Sequence, residues 1–171
     1  MAFTIKDFID PTTGHPRYNI DQTLRSGSRG VDTQLLQVLL NMLYFDLAPA
    51  AARFGLVPPV PRLVEDGIAG SQTGILTNHF FDNAPKAALL VDRSQHPEAG
   101  GVDPMRKPNQ LSTRLKVRFF IDALNLACSS FSVQLGQTRY PLLRTDPTVP
   151  VALRNALKTV KLKATKYQFE R

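Results

Sequence analysis

The hydrophobic positions of this chain fall into separated helical stripes. Over 30–47, "GVDTQLLQVLLNMLYFDL", Leu35, Leu36, Leu39, Leu40 and Leu43 recur at helical spacing, which predicts an amphipathic helix. Asp32 stands where an N-cap or first-turn acid belongs. A second helix is predicted over 71–82, with Ile75, Leu76, Phe80 and Phe81 as its apolar positions and Ser71 as its N-cap. The longest signal covers 109–131. There Leu111, Leu115, Phe119, Ala123, Ala127 and Phe131 form a stripe that Phe120, Leu124 and Cys128 widen. A further helix over 146–162 opens with Thr148 as cap and Pro150 in the first turn.

The segments between the stripes read differently. Residues 1–29 are polar and interrupted by proline and glycine, an arm of short extended pieces anchored by Phe3, Ile5, Phe8, Ile9, Tyr18 and Ile20. A helical turn at 49–54 leads into the proline-rich "VPPVP". Residues 83–110 carry Pro85, Pro97, Pro104 and Pro108 around the apolar "KAALLV", a connection longer than compact domains normally contain. Over 132–143 the alternation around Gly136 predicts a short strand or hairpin.

Composition narrows the class. A chain of 171 residues with 43% hydrophobic and 20% charged residues can bury a core of its own, which argues against wholesale disorder. No apolar run approaches the ~18–20 residues that span a bilayer, so no transmembrane segment is expected. The opening "MAFTIKDFIDPTTG" lacks a basic segment followed by an apolar one. The expectation is therefore a cytoplasmic protein, or one exported by a signal-independent route. Cys128, the single cysteine, sits in an apolar run and reads as a small buried hydrophobe.

The net charge of +7 is concentrated at the C-terminus, where Arg154, Lys158, Lys161, Lys163, Lys166 and Arg171 face only Glu170 over 147–171. Such a basic patch suits an anionic partner (nucleic acid, an acidic protein or an anionic wall polymer) or serves as a solvated face.

Two segments carry a family pattern. In "GVDTQLLQVLLN" the carriers are Gly30, Asp32, Leu36, Gln37, Leu39, Leu40 and Asn41; in "DGIAGSQTGILTNHF" they are Asp66, Gly67, Ile68, Gly70, Thr73 and Phe80. Asp-Gly permits a sharp turn, Ile68 can plug a core between helices, and Gly70 allows close approach before a helix start. In this order the segments resemble the peptidoglycan-binding-like domain, a three-helix module of bacterial and phage cell-wall enzymes, over roughly 28–83. The sequence departs from the family at Thr33, Thr77 and Phe81, and its connection from Asn41 to Asp66 is longer. The periodicity and the resemblance together give a mainly α fold: a small helical bundle with a peptidoglycan-binding-like core, long Pro/Gly-rich connections and one short β-hairpin. The expected division is an N-terminal arm (1–29), a helical domain (30–145, its core at 30–83 and its long connection at 84–110) and a basic helix or tail (146–171). The resemblance also implies a ligand groove beside the Asp-Gly-Ile loop, with Asn41, Tyr44, Asp66, Ile68, Thr73 and Asn78 as candidate contacts. Ile68 and Thr73 have a structural reading as well.

Catalytic chemistry has no evident seat in the sequence. His15, His79 and His96 fall in no metal-binding spacing, although His79/Asp82 and Asp92/His96 share helical faces. Glu65 and Asp66 read as turn chemistry and no nucleophile elbow is present. No metal or cofactor is expected, and an enzyme is the weaker class. "RLKVRFF" (114–120) interleaves Arg114, Lys116 and Arg118 with aromatics, yet at helical spacing Phe119 and Phe120 belong to a core, so nucleic acid is not the expected partner. Without tryptophan, sugar stacking would fall to Tyr18, Tyr44, Tyr140 or Tyr167. The expectation is a non-catalytic module binding peptidoglycan. The alternative is an interaction component of a phage tail or secretion apparatus that works through its basic C-terminal surface.

Overall fold

The computed structural model describes residues 1–10, 12–91, 101–105 and 118–161. Leu111, Leu115, Arg114, Lys116, Asp92, His96, Lys163, Lys166 and Tyr167 lie outside them, as do the side chains of Phe8, Ile9 and Lys161. The chain runs β1 (Phe3–Ile9), β2 (Pro16–Asn19), α1 (Val31–Asn41), α2 (Ala48–Ala51), α3 (Ser71–Asn83), α4 (Phe120–Gln134), α5 (Val151–Leu157) and β3 (Val160–Lys161). It is mainly α, with a small sheet.

Helix α1 is the axis of the fold. Leu35, Leu36, Val38, Leu39 and Leu40 are buried, and so are the polar Asp32, Thr33, Gln37 and Asn41. A helix enclosed on all sides must pack neighbours on every face; α3, α4 and α5 all contact α1. At Met42–Asp46 the helix widens into a π-turn, with the Leu47 amide reaching the Met42 carbonyl at 2.9 Å.

Residues 1–10 and 12–29 form a layer of the fold. β1 is the central strand, antiparallel to β2 (Phe3 opposite Asn19) and parallel to β3 (Thr4 opposite Val160). The Thr4 hydroxyl donates to the Leu157 carbonyl at 2.7 Å, which satisfies one of the open carbonyls at the end of α5. One hydrophobic cluster joins Phe3, Tyr18 and Ile20 to α1 and to Leu153 and Leu157, so arm, helical domain and tail share a core.

Irregular segments are fastened by buried amide side chains. Asn125 of α4 accepts from the Tyr18 amide and donates to the Tyr18 carbonyl, both at 2.9 Å, standing in for a neighbouring strand on β2. Asn19 does the same for Met105, at 2.9 and 2.6 Å, and Asn41 for Leu63, at 2.8 and 2.9 Å. A buried backbone amide or carbonyl without a partner costs about 1–3 kcal/mol. Each clasp therefore makes burial of a non-regular stretch tolerable.

Several sequence expectations change. Gln134 still belongs to α4 and residues 135–145 form successive turns, so the hairpin lies at β1–β2 and not around Gly136. The prediction failed because the alternating residues there belong to a helix end and tight turns packed on the core through Tyr140 and Leu143. The described part of the third stripe begins as helix only at Phe120. Phe119 is extended and Arg118 bridges Val91. Ser71 is the first residue of α3, and Gly70 occupies the cap position without a side-chain bond. Ile75 is exposed while Leu76, Phe80 and Phe81 face the core. Pro150, not Thr148, precedes α5; Thr148 instead bonds Asp146 through amide and hydroxyl. Gly30 caps α1, and Asp32 is buried within its first turn.

Candidate functional site

The Asp-Gly-Ile turn is built outward from α1. Asp66 Oδ1 accepts the Ile68 amide at 2.8 Å, closing a tight turn through its own side chain. Gly67 lies at φ 75°, and a Cβ there would sit 2.9 Å from the Gly30 carbonyl oxygen. Close approach is needed because the Gly30 amide donates to the Gly67 carbonyl (2.9 Å) and the Ala69 amide to the Ser28 carbonyl (2.9 Å). This two-residue clip joins the starts of α1 and α3. Gly67→Ala is expected to cost about 1–3 kcal/mol, read as a lower urea midpoint with an unchanged slope; an unshifted midpoint would contradict the strained approach.

Gln37 fastens the turn from below. Only 2% of it is exposed. Its Oε1 accepts the Gly67 amide at 2.8 Å; its Nε2 faces the Ile68 carbonyl at 3.0 Å, Asp66 Oδ1 at 3.1 Å and Thr73 Oγ1 at 3.4 Å. One turn further along α1, Asn41 clasps Leu63 and donates to Glu65 Oε1 at 2.9 Å. Gln34 adds a bond to the Glu65 carbonyl at 2.8 Å. The Gln37 and Asn41 positions of the sequence motif thus hold the loop by direct bonds.

Above this clamp lies a shallow groove of about 230 Å³ lined by Gln37, Leu63, Val64, Asp66, Ile68 and Thr73, with the start of α3 at one end. Val64 is 73% and Ile68 38% exposed, so two apolar side chains stand in water beside a carboxylate. The Ile68 amide foremost, then the Gln37 amide and the charge of Arg29, hold the Asp66 carboxyl below its ordinary value. It presents a fixed negative charge at neutral pH.

The six candidate contacts separate. Asp66, Ile68 and Thr73 meet at the groove. Asn41 and Tyr44 are fully buried: Asn41 is taken up by Leu63 and Glu65, and the Tyr44 hydroxyl lies 2.7 Å from His79 Nδ1, so neither offers a contact to a ligand. Asn78 is half-buried on α3 and does not line the groove. Ile68 does not plug the core. Val64 is the groove-lining residue that sequence reasoning missed; its only signal was an apolar residue directly before the acidic turn.

Of the motif residues, Leu36 and Phe80 are core, and Gly30, Gly67 and Gly70 shape the turn and the helix starts. In the basic patch, Arg154 donates to the Val149 carbonyl at 3.0 Å and Lys158 to Asn155 Oδ1 at 3.2 Å. Cys128 is buried and donates to the Leu39 carbonyl, and burial pushes its thiol far up. Among the described residues no three His, Cys, Asp or Glu side chains are grouped to hold a metal, and no single helix is long and apolar enough to cross a membrane. Compared with known proteins, the chain matches no family model, no curated protein and no solved structure.

Proposed function

We propose that this chain is a non-catalytic binding module whose groove beside the Asp66–Ile68 turn takes cell-wall peptidoglycan. The observation that carries the reading is the rigid display of Val64, Asp66 and Ile68 over the buried Gln37–Asn41 clamp. A pre-ordered loop loses little entropy on binding, and exposed aliphatic groups beside a hydrogen-bonding rim suit the mixed apolar and polar surface of a muropeptide. The resemblance of 30–41 and 66–80 to the peptidoglycan-binding-like domain supports the same ligand.

Sedimentation with purified sacculi tests this directly. The intact protein is expected to pellet at low salt and at about 0.15 M salt, where surface charge attraction is screened beyond ~8 Å. Ile68→Asp, at an exposed position, is expected to stay in the supernatant while keeping its thermal midpoint. Absence of pelleting at low salt sinks the proposal, and pelleting abolished by moderate salt assigns binding to the basic C-terminal residues instead.

A second reading, an interaction component of a phage tail or secretion apparatus, is favoured by the C-terminal surface. There Val151 (61% exposed) and Val160 (47%) accompany Lys158, and among the described residues β3 lies at the edge of the sheet. It predicts capture of one specific protein partner that Val151→Asp, at an exposed position, abolishes while keeping the thermal midpoint.

A further inference from the structure

The π-turn that ends α1 has a second consequence. It carries Asp46 into the lining of an open cleft of about 830 Å³, whose other lining residues are Arg62 and members of the run 137–148. Across its floor runs a charge ladder: Arg62 pairs with Asp46, Asp46 with Arg139, and Arg139 with Asp146 at 2.8 Å. The Arg62 guanidinium is held 5.3 Å above the Phe45 ring. Arg139 also donates to Thr148 Oγ1 at 3.2 Å, and Gln137 Nε2 to the Asp46 carbonyl at 3.1 Å, so both walls are fixed to each other.

Two cations and two carboxylates cancel, and each already has an internal partner. A small ion entering this cleft would have to displace one of them. A hydroxyl group has no such conflict, because it donates and accepts together. The exposed guanidinium of Arg62 beside Asp46 offers a donor edge next to an acceptor, and a carboxylate keeps lone pairs beyond those its arginines occupy. Leu142, half exposed, and Pro147 add an apolar patch at the same cleft, suited to the C–H face of a sugar ring. Its size is that of a small-molecule site.

We infer that the cleft between Asp46, Arg62 and residues 137–148 binds an uncharged saccharide chain, through Arg62 and Asp46 to its hydroxyls and Leu142 to its ring face. This site is separate from the Asp66 groove, and its occupancy does not depend on peptidoglycan binding there.

The test uses the intact protein and two neutral probes, a β-1,4-linked N-acetylglucosamine tetramer and maltotetraose, titrated to about 10 mM with amide chemical shifts as readout. Shifts confined to 45–46, 62 and 137–148 are expected with at least one probe, and whichever binds names the sugar source. Leu142→Asp, at an exposed position, is expected to bind at least tenfold more weakly with its thermal midpoint kept. Ile68→Asp should leave these shifts unchanged, which separates failure here from failure of the wall-binding proposal. Two results overturn the inference: neither sugar moves these amides, or Leu142→Asp binds as the parent does.

Discussion

Gln37→Ala is expected to destabilise the protein by about 1–3 kcal/mol, because the buried Gly67 amide loses its partner. For a domain of this length that corresponds to a thermal midpoint lower by roughly 2–12 °C. The Gly67 amide is the group affected, since Gln37 Oε1 accepts it at 2.8 Å, whereas the Ile68 carbonyl keeps the Gly70 amide at 2.8 Å. The loss should be local first: amide hydrogen exchange at Gly67 should accelerate more than at Leu39 or Leu40 within α1, and sacculus pelleting should fall with it. Gln37→Glu is the sharper variant. The introduced carboxylate still accepts from Gly67 but faces Asp66 and the Ile68 carbonyl with no proton to donate. Its own pKa must rise in that company. The deficit relative to the parent should therefore be full at pH 7 and shrink as the pH is lowered toward about 5 and the group protonates. A Gln37→Ala protein with parental stability and parental Gly67 exchange would remove the clamp from the account of the site.

The Asp10–Arg17 pair should show the largest single effect in the molecule. Arg17 is 1% exposed on β2 and pairs with Asp10 Oδ2, while Asp10 Oδ1 accepts the amides of Thr12 and Thr13 at 2.9 and 3.0 Å. Removing one partner of a buried pair leaves an uncompensated charge, which typically costs 3–5 kcal/mol, about the loss expected for Arg17→Met. Asp10→Asn combined with Arg17→Met should recover part of that loss, because no lone charge remains. Burial alone would raise the Asp10 carboxyl, but the Arg17 guanidinium and the Thr13 and Thr12 amides outweigh it and hold the group below its ordinary value. With the folded-state value below the unfolded one, this stabilisation is complete above about pH 4 and is lost as acid carries the pH down through the folded-state value. Urea titrations from pH 7 to pH 2 should show that acid slope diminished in Arg17→Met. A loss below about 1 kcal/mol in Arg17→Met would place the pair among surface-like ion pairs.

Helical periodicity was readable where apolar residues recur at helical spacing. The positions 35, 36, 39 and 40 of α1, 43 of the π-turn and 76, 80 and 81 of α3 are buried as their spacing predicted. Where several residue types satisfied one local pattern, the sequence misled. Ile75 obeys the same spacing as Leu76 yet faces solvent, because the direction of the stripe depends on where α1 lies. Ser71 and Thr148 are good capping residues on sequence grounds, but capping requires a backbone geometry that the preceding turn sets, and each sits one or two positions from the cap. The candidate ligand contacts Asn41 and Tyr44 show the same limit. An asparagine or tyrosine near a groove motif reads identically whether its polar end meets a ligand or, as here, Leu63 and His79.

Local chemistry alone therefore determined a mainly helical chain, the two leading helices, and a sharp glycine turn at Asp66–Gly67. These follow from apolar spacing and from the few residues that tolerate positive φ. The tertiary structure decided what the amides do. Asn19, Asn41, Asn125 and Gln37 are scattered polar residues in the sequence, and only the fold brings the three asparagines each opposite a buried backbone amide and carbonyl, and Gln37 opposite the buried Gly67 amide. The sheet was decided in the same way, since β1 finds β3 some 150 residues along the chain through a parallel register that no local pattern encodes. A hydrogen bond between distant segments depends on position in space, and position is a property of the whole packed core.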